Sequence, residues 1–395
     1  MKINQISIRD FKALKDVSFS PGFINVFVGA NGSGKSTLLE AIGVLSAAMT
    51  DRVDGNSLSR KGVRLSAPNL YKSAFKGDTR NQTISFDIQW NTEEEKIPFK
   101  YSVHLNAPAE DNAWRYHSEA LTRGDDKVWG RSGRSKGNYD SFVSMLLTDQ
   151  SENLAKIRPA VEPFRDYAIY QPFTAALRGT VPDPQQATPM GLGGGRLAEA
   201  FEEILHEEDG ELCLGCDVSL EDILDVIDWA EAISVASPTK ERVNSAVPVS
   251  RRVIEFRDRY LKDTMRFTAY DASEGALYVL FLYCLMLHPK APLVYAVDNF
   301  DQAMHPRLAM EVMRRLSELA VSQKKTLFLT THNPLVLDGL DLSNEEIRLF
   351  TLNRSVQTGH VSVERIKITN DLIRERQPLS RLWTSGRIGG VPSLL

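Results

Sequence analysis

Nine consecutive residues, Gly29-Ala30-Asn31-Gly32-Ser33-Gly34-Lys35-Ser36-Thr37, have the composition of a loop that holds phosphates. Glycines at this spacing let the backbone form a nest of N–H donors, and a following helix adds the positive end of its dipole. Lys35 is then placed to reach the outer phosphates of a nucleotide, and the Ser36 hydroxyl to ligate Mg²⁺. Asn31, Gly32, Ser33, Gly34 and Thr37 complete the cradle.

Such a loop needs a buried strand before it and a helix after it. Phe23 to Val28 supplies the apolar run, and Leu38 to Leu45 the helical pattern. The metal also needs a carboxylate at the end of a neighbouring strand, and the run Leu293 to Val297 ends in Asp298. A third apolar strand, Thr326 to Leu329, ends in Thr330-Thr331-His332-Asn333-Pro334. A histidine there can hydrogen-bond the terminal phosphate. Between these elements, Ala272-Ser273-Glu274-Gly275-Ala276 opens the helical pattern Leu277 to Leu287. Its serine is first an N-cap, and the helix end is also a second anion site. Two such ends, more than two hundred residues apart, suggest that one nucleotide is gripped from opposite sides.

In chain order, the phosphate loop, the Ser-x-Gly signature, Asp298, the turn Met304-His305-Pro306 and His332 resemble the ABC-type ATPases of the SMC, RecF and OLD branch. The opening strand Met1 to Lys12 resembles that branch too, and the likeness covers residues 1–50 and 255–355 best. The resemblance implies an α/β P-loop ATPase head with an antiparallel β layer, and ATP and Mg²⁺ as ligands. It further implies a head-to-tail dimer in which Ser273 and Gly275 of one subunit close on ATP held by Lys35 of another. Stand-alone AAA-family ATP-binding proteins of anti-phage systems look similar.

One position departs from that branch. These ATPases usually carry Glu after the metal-linked Asp, whereas this chain reads Asp298-Asn299-Phe300-Asp301. An amide cannot accept a proton, although it can orient a water. Asp301 or His332 is then expected to carry more of the catalytic work. Slow hydrolysis follows, which suits a switch that holds a closed state.

The chain of 395 residues is expected to form more than one lobe. The expected division is a discontinuous ATPase core over 1–105 and 255–365, a mostly helical insertion over 106–254, and a C-terminal tail over 366–395. Thr83 to Ile88 and Phe99 to Val103 alternate as strands of a hairpin joined through Asn91 to Lys96. Prolines recurring from Pro159 to Pro248 exclude long coiled-coil arms. Gly191 to Gly195 lacks the Lys-Ser of a second phosphate loop and reads as a turn before a helix, Arg196 to His206. Strands are expected at Ile347 to Leu352 and Val361 to Ile366. The apolar tail Leu379 to Gly390 reads either as a partner hook or as a helix on its own core.

A net charge of −4 does not describe a surface built throughout for nucleic acid. Arg52, Arg60, Lys61, Arg64, Lys72, Lys76 and Arg80 could touch phosphates or form a solvated loop. From Glu199 to Glu231 there are thirteen acids and no Lys or Arg, either a solvated face or a docking surface for a basic partner. Cys213 and Cys216 are half a zinc pair with no second half beyond His206, so a turn with thiols is the preferred reading. Met1-Lys2-Ile3-Asn4 does not read as a signal peptide, and no run reaches the ~20 apolar residues of a membrane span. A cytoplasmic protein is expected. After His332 no acid cluster for two-metal nuclease chemistry appears, so the expected effector is a separate protein. The resulting reading is a nucleotide-controlled dimeric switch serving an anti-phage system. The alternatives are a RecF-like DNA repair ATPase and a non-hydrolysing, ATP-dependent scaffold.

Overall fold

A computed structural model describes residues 1–78, 81, 83–94, 97–107, 113–132, 139–144, 157–185, 187–208, 210–215, 218–240, 242–248, 250–367 and 377–391. Two six-stranded sheets face each other across the helix Lys35–Thr50. The first is antiparallel, in the spatial order Leu14–Phe19, Lys2–Phe11, Ile84–Asn91, Phe99–Asn106, Arg115–Arg123, Asp126–Arg131. The second runs Val361–Ile366, Ile347–Arg354, Ile24–Gly29, Thr326–Thr330, Val294–Val297, Ile169–Tyr170. Only the Val361–Ile366 pairing in it is antiparallel.

The strand Ile24–Gly29 is buried along its whole length, as a central parallel strand must be. Its period of two sends Val26 and Val28 to one core and Phe27 to the other. The Phe27 face meets Leu38, Leu39 and Leu45 of the helix Lys35–Thr50 and the inner face of the antiparallel sheet. Ala41, Gly43, Ala47 and Ala48 allow that helix to be sandwiched; a Cβ at Gly43 would stand 2.6 Å from a Val63 methyl. The opposite face is covered by the helices Leu197–Ile204, Glu274–Leu287 and Pro306–Ser322. Glu274–Leu287 is buried continuously from Ala276 onward, which explains why it is apolar on every side.

The span expected to be mostly helical is mixed instead. Among its described residues, Arg115–Arg123 and Asp126–Arg131 extend the antiparallel sheet, and Ile169–Tyr170 closes the edge of the parallel one. Ala230–Ala236 pairs with Val253–Asp258, and the helices are short, the longest being Leu197–Ile204. The acid-rich stretch is partly neutralised by cations from elsewhere in the chain: Glu202 meets Arg252, Glu203 meets Lys290, and Glu231 meets Arg257. At the far end, the helix Leu379–Thr384 buries Leu382 and Trp383 in the core beside Pro334–Gly339. No helix among the described residues is long and apolar enough to cross a membrane.

Candidate nucleotide site

The phosphate loop joins the strand Ile24–Gly29 to the helix Lys35–Thr50. Gly32 and Gly34 have φ of 75° and 101°, left-handed values that favour glycine. Around Gly32 there is open space: nothing lies within 4 Å of where a Cβ would stand. The helix has no side-chain N-cap and no acid in its first turn, so its amide donors are left for an anion. The buried Ser33 hydroxyl has no hydrogen-bond partner among the described residues. These features fit a bound polyphosphate.

Lys35 lies almost entirely buried, and its ammonium donates to the carbonyls of Gly29 at 2.8 Å and Ala30 at 3.0 Å. Burial lowers its pKa to about 8, opposed by the charge of Asp298. The lysine is thus folded back over its own loop with a weakly compensated charge, ready for phosphate oxygens.

Asp298 follows the strand Val294–Val297 and is 6% exposed. Its Oδ2 accepts hydrogen bonds from the Ser36 hydroxyl at 2.8 Å and the Gln171 amide at 3.0 Å. Its Oδ1 accepts from the Thr330 hydroxyl at 2.5 Å. A hydroxyl, a carboxylate and an amide oxygen are hard donors of the kind Mg²⁺ takes. Ser36, Asp298 and Gln171 therefore fit that ion.

Gln171 and Thr330 were not among the residues expected here. Gln171 follows a strand of two residues, Ile169–Tyr170, too short to stand out in sequence, and Thr330 reads as the end of a core strand. The signal that could have found Gln171 is a lone polar residue directly after Ala168-Ile169-Tyr170.

His332 is exposed at the end of Thr326–Thr330. Burial of part of its ring and the charge of Lys35 lower its pKa, while Asp301 and Asp298 oppose the shift. Those four residues thus share one electrostatic neighbourhood. Asn299 is exposed with φ 56°, and its N–H donates to the Thr330 hydroxyl at 2.9 Å. Asp301 accepts from the Thr331 hydroxyl at 2.6 Å.

Ser273 and Gly275 stand apart from this cluster. Ser273 is exposed and caps the helix Glu274–Leu287, accepting from the Ala276 N–H at 3.4 Å. A Cβ at Gly275 would lie 3.4 Å from the Ala303 carbonyl, so the signature borders the turn that leads to His305. His305 in turn caps Pro306–Ser322 through its Nδ1.

Next to the phosphate loop, the buried carboxylate of Glu40 holds both Lys12 and Arg64 at 2.6 Å. These cations border a cavity of about 610 Å³ that also includes Ala13, Leu65, Leu70 and Phe75. Arg60 pairs with Asp51, and Lys61 is buried with its ammonium on the Arg165 carbonyl, so several cations of the basic segment are used internally. Arg80 lies outside the described residues.

Cys213 stands opposite His206 in a small hairpin, and Cys216 lies outside the described residues. Among the described residues no group of three or more His, Cys, Asp or Glu side chains could hold a metal.

A family model described as "AAA domain, putative AbiEii toxin, Type IV TA system" matches residues 24–338. Among curated proteins, the DNA replication and repair protein RecF of Beutenbergia cavernae is 39% identical over 226 residues, covering 52% of this chain and 51% of that protein. RecF of Leifsonia xyli subsp. xyli is 38% identical over 160 residues, covering 40% and 39%. The chain spans about half or less of the length of these relatives.

Among solved structures, an Smc head bound to the C-winged helix domain of ScpA aligns over 93% of this chain and 99% of its own, with TM-score 0.55 and 16% identity. The Smc head domain with an extended coiled coil from Pyrococcus furiosus aligns over 98% and 99%, with TM-score 0.51 and 12% identity. At such identities the likeness is one of fold. With the phosphate loop, Asp298 and the match over residues 24–338 in agreement, the chain belongs to this AAA family and is an ABC-type P-loop ATPase of the SMC and RecF branch.

Proposed function

We propose that this chain is an ATP-controlled switch that closes as a head-to-tail dimer, with two composite nucleotide sites. The observation that carries the reading is the position of Ser273. Its hydroxyl caps its own helix, faces solvent, and lies at a second anion-attracting helix end with no hydrogen bond to the phosphate loop among the described residues. A partner's terminal phosphate would supply the charge that this end lacks. The segment leading to it exposes Tyr260 (79%), Leu261, Met265 and Tyr270, large apolar side chains of the kind that contact surfaces use.

In this reading Lys35 and the loop amides hold the β- and γ-phosphates, and the cavity beside Lys12 and Arg64 has room for the nucleoside. Ser36, Asp298 and Gln171 would hold Mg²⁺, whose charge stabilises the transferring phosphoryl oxygens. His332 faces the terminal phosphate and reports its presence. Slow turnover is expected because the left-handed turn at Asn299 keeps a carboxylate from the usual position, so that any substitute must act from elsewhere, and a slow ATPase keeps the closed state long enough to act as a signal.

We further propose that this cytoplasmic ATPase works with a separate effector, as in anti-phage systems; the family's description, which names a type IV toxin–antitoxin system, is compatible with a two-component arrangement. A second reading, DNA repair, is favoured by the stretches shared with RecF. ATP turnover by the purified protein with and without duplex DNA separates them. The first reading predicts a rate unchanged by DNA and no cleavage of DNA or RNA by this chain alone. The second predicts DNA-stimulated turnover.

A further inference from the structure

The chain leaves the Asp298 strand through a turn that determines where a carboxylate can stand. At Asn299 the backbone is left-handed, φ 56°, a conformation that asparagine tolerates better than glutamate. Its N–H is held by the Thr330 hydroxyl, and Phe300 is buried with its N–H on the Thr330 carbonyl. Asp301 is therefore the next side chain free to turn back toward the nucleotide.

Its orientation is set by a buried hydroxyl. Thr331 is fully buried; it accepts the Asn333 N–H at 3.0 Å, and its own proton goes to Asp301 Oδ1 at 2.6 Å. His332 lies between those two anchors. The charge of Asp301 acts on the His332 imidazole in opposition to that of Lys35, and Thr331, which holds Asp301, directly follows Thr330, whose hydroxyl donates to Asp298 at 2.5 Å. Among the described residues, Asp301 Oδ2 has no hydrogen-bond partner, and the residue is half-buried.

We propose that Asp301 is the carboxylate that receives the proton of the attacking water, replacing the acid that position 299 lacks. This deepens the ATPase reading and rests on it. The water oxygen bonds to the terminal phosphorus, and the bond from that phosphorus to the bridging oxygen breaks with its electron pair leaving on ADP. The proton passes to Asp301 Oδ2 and then to solvent. Thr331 acts as a positioning residue that leaves Oδ2 facing the site.

Three readouts on the full chain test this: single-turnover hydrolysis across pH, affinity for a fluorescent ATP analogue, and mass with ATP. Asp301→Asn keeps an acceptor for Thr331, so the fold is retained. Its rate should drop by ~10²-fold or more, since a positioned base contributes about 10²–10⁴-fold. Affinity and ATP-dependent mass should stay at wild-type values, and the acid limb of the pH–rate profile should vanish from the residual activity. Asn299→Glu should bring no gain. A rate in Asp301→Asn within about threefold of wild type, or ATP binding lost together with turnover, would overturn the proposal. So would a tenfold or larger rise in Asn299→Glu. Wild-type protein that fails to bind or hydrolyse ATP would instead overturn the ATPase reading beneath it.

Discussion

Ser36 and Asp298 are 262 residues apart in sequence, yet the serine hydroxyl donates to the aspartate at 2.8 Å. That contact joins the phosphate loop to the end of a strand two positions away in the parallel sheet, across Thr326–Thr330. The same carboxylate gathers Gln171 and Thr330, so three other segments of chain converge on one acid.

Gln171→Ala and Thr330→Val should separate two roles of that cluster. Gln171→Ala removes one proposed metal donor and should weaken Mg²⁺-dependent ATP binding about tenfold, leaving Mg²⁺-free nucleotide binding nearly unchanged. Thr330→Val leaves Asp298 Oδ1 without its donor and the Asn299 N–H without its acceptor, and should cost about 1–3 kcal/mol of stability. Nucleotide titrations with and without Mg²⁺, beside urea unfolding, would show the split. Equal effects on both titrations in Gln171→Ala would mean that Gln171 does not serve the metal.

Lys35 carries a pH prediction. Its pKa of about 8 in the free protein is depressed by burial, so the folded state binds fewer protons than the unfolded one between about pH 8 and the ordinary lysine value. By itself the residue therefore costs stability below pH 8, a cost relieved as pH rises. Phosphate binding needs the charged form and runs the other way. ATP affinity should be flat below pH 8 and fall roughly tenfold by pH 9, with proton uptake on binding above pH 8. Lys35→Ala should abolish ATP binding in a protein whose circular dichroism is unchanged. Wild-type affinity in that variant would remove Lys35 from the site.

Glu119 anchors the far end of the phosphate-loop helix. Its fully buried carboxylate accepts from Tyr101 and Ser141 at 2.9 Å and from the Phe142 N–H at 3.1 Å, and pairs with Arg131 at 2.8 Å. Tyr101 and Tyr116 also donate to the Ala48 carbonyl in the helix's last turn. Glu119→Ala removes the buried acceptor of Tyr101, Ser141 and the Phe142 N–H and the partner of the half-buried Arg131, and should cost about 1–3 kcal/mol in denaturant unfolding. Because the network lies at the opposite end of a helix of 16 residues from the phosphate loop, ATP affinity of the folded fraction should hold.

Glu119 also shows why part of the fold was hard to read. Arg115–Arg123 buries Tyr116, Glu119 and Leu121, and a charged residue on the inner face breaks the apolar alternation that announces a strand. A register shift between Leu121 and Thr122 disturbs the period further. The expectation of a helical insertion rests on the recurrent prolines and the missing heptad, neither of which reports such a strand. By contrast, Ile84–Asn91 and Phe99–Asn106 alternate cleanly, and both were legible. The phosphate loop, Asp298 and His332 were legible because glycine spacing and strand-end chemistry are local. Gln171 and the Asp301–Thr331 bond were not, because each depends on which strands become neighbours.

Ser273 offers the most direct test of the central claim, that ATP closes two copies of this chain around composite sites. The measurement is solution mass by light scattering with Mg²⁺ and a non-hydrolysable ATP analogue, against ADP, for wild type and Ser273→Arg. The account predicts two chains with the analogue and one with ADP for wild type. For Ser273→Arg it predicts one chain under both conditions, with analogue affinity per chain retained. A wild-type protein that stays a single chain with the analogue bound, or a Ser273→Arg variant that pairs as well as wild type, would contradict it.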